Sequence, residues 1–224
     1  MSTRARLAAH LPAFALEIRT PGVTLRFPDD EDLVELARLA AGGVHPDDQM
    51  PFTVPWSRVP SPFLERNTLQ YFWSKRATLQ SDAWDLSLVT LVDERIVGMQ
   101  GLFATSWKAT ATFETGSWLG VEFQGQGIGK EMRVAALHLG FDGFGARRAV
   151  TAAFADNPSS LGVTRALGYR PNGDAFAARD EDCALIQHFA MDRSDFDARR
   201  RDDVEIVGAA DVLALFGTEH VPGA

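Results

Sequence analysis

The chain holds a single cysteine, Cys183, among 224 residues. One thiol closes no internal disulfide and cannot build a cysteine-rich metal site, so a reducing compartment fits. Cys183 is expected as a small buried hydrophobe rather than a nucleophile. Basic charge is short as well: 22 Lys and Arg stand against 30 Asp and Glu, a net charge of −8. Without a basic field to hold a phosphate backbone, nucleic acid is not an expected partner. No run of about 18 or more apolar residues exists, so no membrane-crossing helix is expected. His10, His45, His138, His188 and His220 show no metal-ligand spacing, and no metal is expected. Arg4 and Arg6 precede an apolar stretch at 7–16 with the look of a secretion signal, but His10 and Pro12 interrupt it. A cytoplasmic protein is the expectation.

What is present describes an ordinary folded domain. Apolar side chains make up 46% and charged ones 23%, near the average for soluble globular chains and ample for a buried core. Residues 23–27 alternate and read as a strand. Acidic residues at 29–32 mark a helix start ahead of Leu33, Leu36 and Leu39, and Gly42 and Gly43 end that helix. From 44 to 62, Pro46, Pro51, Pro55 and Pro60 forbid regular structure. A loop of this length that carries His45, Phe52, Trp56 and Arg58 fits a role over a pocket better than a plain surface connection. A helix is expected at 63–80, with Leu69, Phe72, Trp73 and Leu79 toward one side.

Strands at 86–92, 96–102 and 110–119 form an antiparallel meander. The rhythm then changes: a helix through Ile128, Met132, Ala135 and Leu139, a strand at 149–155, a helix at 159–167, and two closing strands at 169–177 and 184–191. A meander followed by β-α-β-α-β predicts an α/β (α+β) fold with a mixed central sheet and helices on both faces. The expected organisation is an N-terminal extension at 1–19, one domain at 20–192, and an appended strand and short helix at 193–224.

The most informative segment runs Phe123, Gln124, Gly125, Gln126, Gly127, Ile128, Gly129, Lys130. It falls between a strand and a helix, where free N–H groups and the helix dipole make an anion site, and its alternate glycines allow close approach of a phosphate. A dinucleotide fingerprint fails, because Lys130 stands where its third glycine belongs. A P-loop fails as well, at Gln124 and Glu131.

The segment resembles the pyrophosphate loop of the GNAT superfamily of acyl-CoA-dependent N-acyltransferases, with Gln124, Gly127 and Gly129 at the fixed places of its Gln/Arg-x-x-Gly-x-Gly/Ala pattern. A second element, Asn157, Ser160 and Val163 followed by Leu167-Gly168-Tyr169, is similar to the Asn-x-x-Ser-x-x-Val...Leu-Gly-Phe signature of the RimJ/RimL-type branch. A third, Glu114-Thr115-Gly116-Ser117-Trp118-Leu119, is similar to that branch's Glu-Ile-Gly-Tyr-Trp-Leu strand. Residues 20–26 look like its opening strand, with Gly22 where an arginine would stand. The resemblance spans about residues 20 to 192. The segment from Gly43 to Trp56 further resembles an actinobacterial subgroup, some members of which are described as succinyltransferases.

The resemblance implies a GNAT fold and acetyl-CoA, or another acyl-CoA such as succinyl-CoA, as co-substrate. It assigns the pyrophosphate to Gln126, Gly127, Ile128, Gly129 and Lys130 beside Gln124. Trp118, Leu119 and Val121 would pair with the pantetheine arm, and Asn157 and Ser160 would contact the carrier from the other side. A backbone N–H near Leu119 is a candidate to polarise the thioester carbonyl. Acyl transfer needs a neutral amine, and α-amines titrate near about 7.7–8.0 and lysines near about 10.4, so a base matters. Glu114 is the candidate, on one strand face with Gly116 and Trp118, where an aromatic neighbour would desolvate its carboxyl. Ser160 is the candidate to protonate or hold the departing sulfur, because Thr164 stands where many relatives carry a tyrosine acid.

His45 and Arg58 flank Phe52 and Trp56 and are candidates for a carboxylate of a succinyl group or of the acceptor. Arg133, one turn past the glycines, is a candidate for phosphate. His138 is expected as an ordinary packed or surface histidine. The expected activity is transfer of an acetyl group to a primary amine of a small molecule or protein by direct attack in a ternary complex. A succinyl donor and a non-catalytic CoA-binding sensor are the rivals, and a homodimer stays open.

Overall fold

Short-range signals set the elements. In the computed structural model, which describes residues 2–180 and 182–216, a short helix α1 (Thr3–Ala8) leads to strands β1 (Glu17–Arg19) and β2 (Thr24–Arg26). Helix α2 (Asp30–Ala41) begins at a capping box: Asp29 accepts from the Asp32 N–H while Asp32 accepts from the Asp29 N–H. Arg4 lies 2.9 Å from Asp29 and 2.6 Å from Asp32, and Arg26 lies 2.6 Å from Asp32. The segment that looked like a secretion signal is thus tied to the α2 cap.

Helix α3 (Phe63–Ala77) precedes the meander β3 (Trp84–Val92), β4 (Arg95–Ala104) and β5 (Thr112–Leu119), with a four-residue helix α4 (Trp107–Thr110) before β5. The chain continues through α5 (Ile128–His138), β6 (Arg148–Phe154), α6 (Pro158–Ala166), β7 (Arg170–Arg179), β8 (Asp182–Asp192), α7 (Arg193–Asp197), β9 (Glu205–Val207) and α8 (Ala209–Leu215). His220 lies outside the described residues.

Nine strands form one mixed sheet in the order β7-β8-β6-β5-β4-β3-β2-β1-β9. All neighbours are antiparallel except β5 and β6. Both flanks of the central segment join this sheet: β1 pairs with β2 and with β9, and Phe216 stacks on Trp84 at 5.2 Å. On one face, α2 and α3 pack Leu33, Leu36 and Phe72 against Val89, Leu91 and Met99. On the other, α5 packs Met132, Ala135 and Ala136 within the larger core that holds Leu86, Leu102 and Phe113.

Two expectations need correction. The inward stripe of α3 is Leu64, Thr68 and Phe72, whereas Trp73 is 46% exposed and donates its indole N–H to Asp30. A polar handle that finds a carboxylate at the surface removes the reason to bury the ring. Cys183 is exposed rather than buried, because β7 and β8 form a hairpin at the sheet edge whose β7 side is almost wholly solvated. Among the described residues no helix is long and apolar enough to cross a membrane, and no group of three or more His, Cys, Asp or Glu is placed to hold a metal.

Candidate functional site

After β5 the chain makes a single turn over Val121–Phe123 and reaches α5 through Gly125 at φ +73° and Gly127 at φ +84°. Both values lie in the left-handed region that glycine enters without steric cost. Five successive main-chain N–H groups, from Gly125 to Gly129, have no acceptor among the described residues. They occupy the positive end of the α5 dipole, where an anion supplies the missing acceptors. A Cβ on Gly125 or Gly127 would meet nothing within 4 Å, so the turn stands open at both glycines. Ile128 and Gly129 begin α5, and Lys130 is exposed beside them.

Gln124 does not point at this space. Its amide donates to Val44 O at 2.9 Å and to Leu119 O at 3.0 Å, satisfying two carbonyls that the turn leaves without ladder partners. It is corrected from a contact residue to the clasp of the loop. Gln126 donates its side-chain amide to Glu122 O, which leaves its main-chain N–H in the open run.

Beside the turn, the parallel pair β5–β6 comes apart. Its register runs only from Thr112↔Arg148 to Glu114↔Val150. Beyond that point Thr115 O is taken by Thr151 Oγ1 at 2.9 Å, and the strands diverge into a wedge that opens toward the glycine turn. The β6-side edge of β5 along Ser117, Trp118 and Leu119 therefore has no strand partner, a place for an extended ligand to pair. Val121, past the strand end, is exposed.

Asn157 caps α6 by accepting from the Ser160 N–H at 3.1 Å, so its carbonyl oxygen is already used; Ser160 is half-buried on the first turn. Thr164 is buried, and Tyr169 OH sits 3.4 Å from Thr115 Oγ1 at the wedge base. Arg133 is corrected from a phosphate ligand. It is 4% exposed and turned into the sheet, with Nε donating to Gln100 Oε1 at 3.3 Å, Nη1 to Thr151 Oγ1 at 3.2 Å and Nη2 to Ser117 Oγ at 3.1 Å. Its place on α5 explains this, because it falls within the run of buried residues from Met132 to His138.

The opposite face of β5 carries Glu114, Gly116 and Trp118. The Phe103 ring lies across Gly101 and Gly116: a Cβ on Gly101 would stand 2.2 Å from the ring, so only glycine allows it to lie there. Trp118 packs on Trp56 at 5.6 Å, Trp56 on Phe52 at 5.1 Å, and Phe52 on His45 at 5.8 Å, giving an aromatic wall from the proline-rich loop. Glu114 is exposed, and no described residue pairs with it. The expected desolvation is corrected: Trp118 turns to Trp56 and leaves the carboxylate in solvent.

His45 and Arg58 are corrected as free carboxylate ligands. His45 places Nδ1 2.7 Å from Pro46 O and Nε2 2.7 Å from Ser57 Oγ, so both nitrogens are occupied. Arg58 pairs with Asp180 at 2.6 Å, joining the aromatic loop to the β7–β8 hairpin. Phe103, Gln100, Thr151 and Asp180 escaped the sequence reading, and Tyr169 entered it only as the end of the Leu-Gly-Phe-like motif. Asp180 gives no local signal, since it meets Arg58 across 122 positions. Gln100 and Thr151 are polar residues inside apolar strands, and that was the available clue.

The family model described as an acetyltransferase (GNAT) domain matches residues 23–170. Among solved structures, RimL, a ribosomal L7/L12 alpha-N-protein acetyltransferase in complex with coenzyme A, is 17% identical with a TM-score of 0.63, covering 77% of this chain and 95% of its own. The microcin C7 self-immunity acetyltransferase MccE, in complex with acetyl-CoA and AMP, is 18% identical with a TM-score of 0.61, covering 77% and 93%. A GNAT-family acetyltransferase from Bacillus anthracis is 14% identical with a TM-score of 0.63, covering 80% and 99%. These likenesses bear on the fold, and the model match reaches through the glycine turn, the wedge and the α6 cap. The chain belongs to the GNAT family of acyl-CoA-dependent N-acetyltransferases.

Proposed function

We propose that the chain transfers an acetyl group from acetyl-CoA to a primary amine of a small molecule or a protein, by direct attack within a ternary complex. The observation that carries this reading is the run of five unpaired N–H groups from Gly125 to Gly129 at the mouth of the β5–β6 wedge. They receive the diphosphate, with the Lys130 ammonium beside them. The pantetheine arm lies along the unpaired edge of β5 from Leu119 inward, extending the sheet by main-chain hydrogen bonds. A β5 N–H near Leu119 polarises the thioester carbonyl.

The acceptor approaches from the other face, over Trp56, Phe52 and Trp118. Glu114 takes the proton that the amine must lose, directly or through a water, and its solvent exposure suits a base that exchanges with bulk water. The amine nitrogen forms the C–N bond as the C–S bond breaks. The thiolate leaves without an obligatory acid, given a thiol pKa near about 8.5, and Ser160 holds the sulfur by hydrogen bonding. Because His45 and Arg58 are engaged elsewhere, the aromatic loop gives no support to a succinyl donor. The shortage of basic charge supports an acceptor other than nucleic acid.

The test is thiol release from acetyl-CoA over a panel of amines, with Glu114→Gln beside the parent chain. A loss of about 10²-fold or more in kcat, with coenzyme A affinity held, is expected of a general base. An unchanged rate removes Glu114 from the mechanism. Binding of coenzyme A with no thiol release from any amine would make the chain a sensor. Absence of calorimetric binding would overturn the reading as a whole.

A further inference from the structure

The aromatic loop and the β7–β8 hairpin lie far apart in the chain, yet both reach the open end of the wedge. β8 pairs with β6 only as far as Phe154↔Ile186, while β7 and β8 pair on to Arg179↔Asp182. The hairpin tip therefore projects past the end of β6. It is fastened there by Arg179, which donates to both carboxylate oxygens of Asp156 at 2.8 Å and lies over the Phe154 ring at 4.6 Å. The loop is fastened to β5 instead, with Trp56 on Trp118 at 5.6 Å and Phe52, Trp56 and Val59 packed about Val44 and Leu64.

One contact joins these two anchored pieces. Arg58 Nη1 donates to Asp180 Oδ2 at 2.6 Å, and no other hydrogen bond, ion pair or ring contact links loop and hairpin among the described residues. It completes a circuit. From Trp118 on β5 the contacts run to Trp56, along the single turn Trp56–Arg58, across to Asp180, and through Arg179 to Phe154. β6 then leads back to its last pairing with β5 at Glu114↔Val150. Trp118 packs with the α2 and α3 cores rather than with α5. The pair thus spans the mouth of the wedge on the side from which the amine approaches.

Its strength suits a closure that opens. The side chains are 47% and 33% exposed, and a half-solvated ion pair is weak and screened by salt. Each piece keeps its own anchors when the pair parts, so parting changes the gap between them and not the fold. We propose that Arg58 and Asp180 form a strap across the acceptor entrance, which while shut admits an amine on a slim stem and must part before an amine on a bulky body can reach the thioester. The inference rests on the acyl-transfer reading of the wedge and on the acceptor face assigned there. Arg58 and Asp180 touch neither substrate; they select what passes.

The experiment has two arms on the full chain, with Arg58→Ala, Asp180→Asn, the double variant and Arg58→Lys. Asn keeps the side-chain shape and tolerates the left-handed backbone at this position, φ +55°. The first arm follows amide hydrogen exchange of Arg58 and Val59, whose N–H groups close the loop turn onto Pro55 O and Trp56 O. Exchange is expected to quicken by about threefold in either single variant, as for loss of a weak surface pair, and no further in the double. The second arm measures acetyl-CoA-dependent kcat/KM for n-butylamine and for a folded lysine-rich protein, which presents the same straight amine on a bulky body. The protein-to-butylamine ratio is expected to rise by about threefold in each single variant, no further in the double, and by less in Arg58→Lys. Added salt should raise the ratio in the parent and leave Arg58→Ala unmoved.

Unchanged exchange overturns the strap. Quickened exchange with an unchanged ratio, or with both acceptors shifted by one factor, reduces the pair to a structural tie and overturns the gating. Either result leaves the acyl-transfer reading standing. A parent chain that releases no thiol with any amine defeats that reading, and the gating with it, even where exchange responds.

Discussion

Two helices begin beside the same wedge, and their first turns are built in opposite ways. Helix α6 starts at Asn157, whose side chain accepts from the Ser160 N–H, with Pro158 at a position where no donor is needed. Helix α5 starts at Gly127, has no side-chain cap, and follows a turn that leaves five N–H groups in a row without acceptors. A chain that needed only stable helices would cap both, since a cap is worth about 1 kcal/mol. On the proposed function, the α5 end trades local satisfaction for a surface that receives an anion, while the α6 end is a finished helix terminus capped by Asn157.

Breaking the open end should have the larger effect. Gly127 sits at φ +84°, where an L residue is strained by about 1–2 kcal/mol. Gly127→Ala is expected to rotate the turn away from that conformation and to weaken coenzyme A binding by about tenfold or more, read by calorimetry. Retained affinity would show that the open run is not the anion site. The closed end should respond in the other currency: Asn157→Ala is expected to lower unfolding free energy by about 1 kcal/mol in a denaturant titration while coenzyme A affinity moves by less than about twofold. Equal losses of affinity in the two variants would erase the distinction between the two helix starts.

Much of this contrast was legible from the residues. Alternate glycines between a strand and a helix announce an uncapped, open first turn, and an Asn-Pro pair before a helix announces a capped one, because both signals are local. The β3–β4 pairing was legible for the same reason, through the short turn at Asp93-Glu94, both at positive φ between paired strands. What was not legible depends on side-chain direction. Arg133 reads from its position as a neighbour of the glycines, yet the helix turns it beneath the sheet to Thr151 and Ser117. Arg58 and His45 read as free polar groups, and their partners, Asp180 and Ser57, are set by how loops close in space. Gly101 reads as an ordinary strand glycine until the Phe103 ring is seen lying over it.

The far end of α5 gives a finer test of whether its open end acts independently of fold stability. His138 is buried against Phe196 at 4.9 Å, with Nδ1 3.1 Å from Asp142 and Nε2 accepting the Arg201 N–H at 3.3 Å. An Nε2 that accepts carries no proton, so the ring is neutral and donates from Nδ1. Burial pushes its pKa below the ordinary value; the nearby Asp142 opposes that shift, and Arg200 and Arg201 add to it. The folded state therefore binds fewer protons than the unfolded chain below the unfolded pKa near about 6.5. The sign follows: stability is flat well above the unfolded pKa and declines as pH falls through about 6.5 toward the lower folded value, by at most about 0.7 kcal/mol between pH 7 and pH 6. His138→Gln is expected to flatten this pH dependence of Tm. Coenzyme A affinity of the parent chain over the same interval should not follow the decline, since the donors at Gly125 to Gly129 are main-chain groups that do not titrate. If affinity fell in step with Tm, the open end of α5 would be reporting the stability of the helix rather than its own geometry.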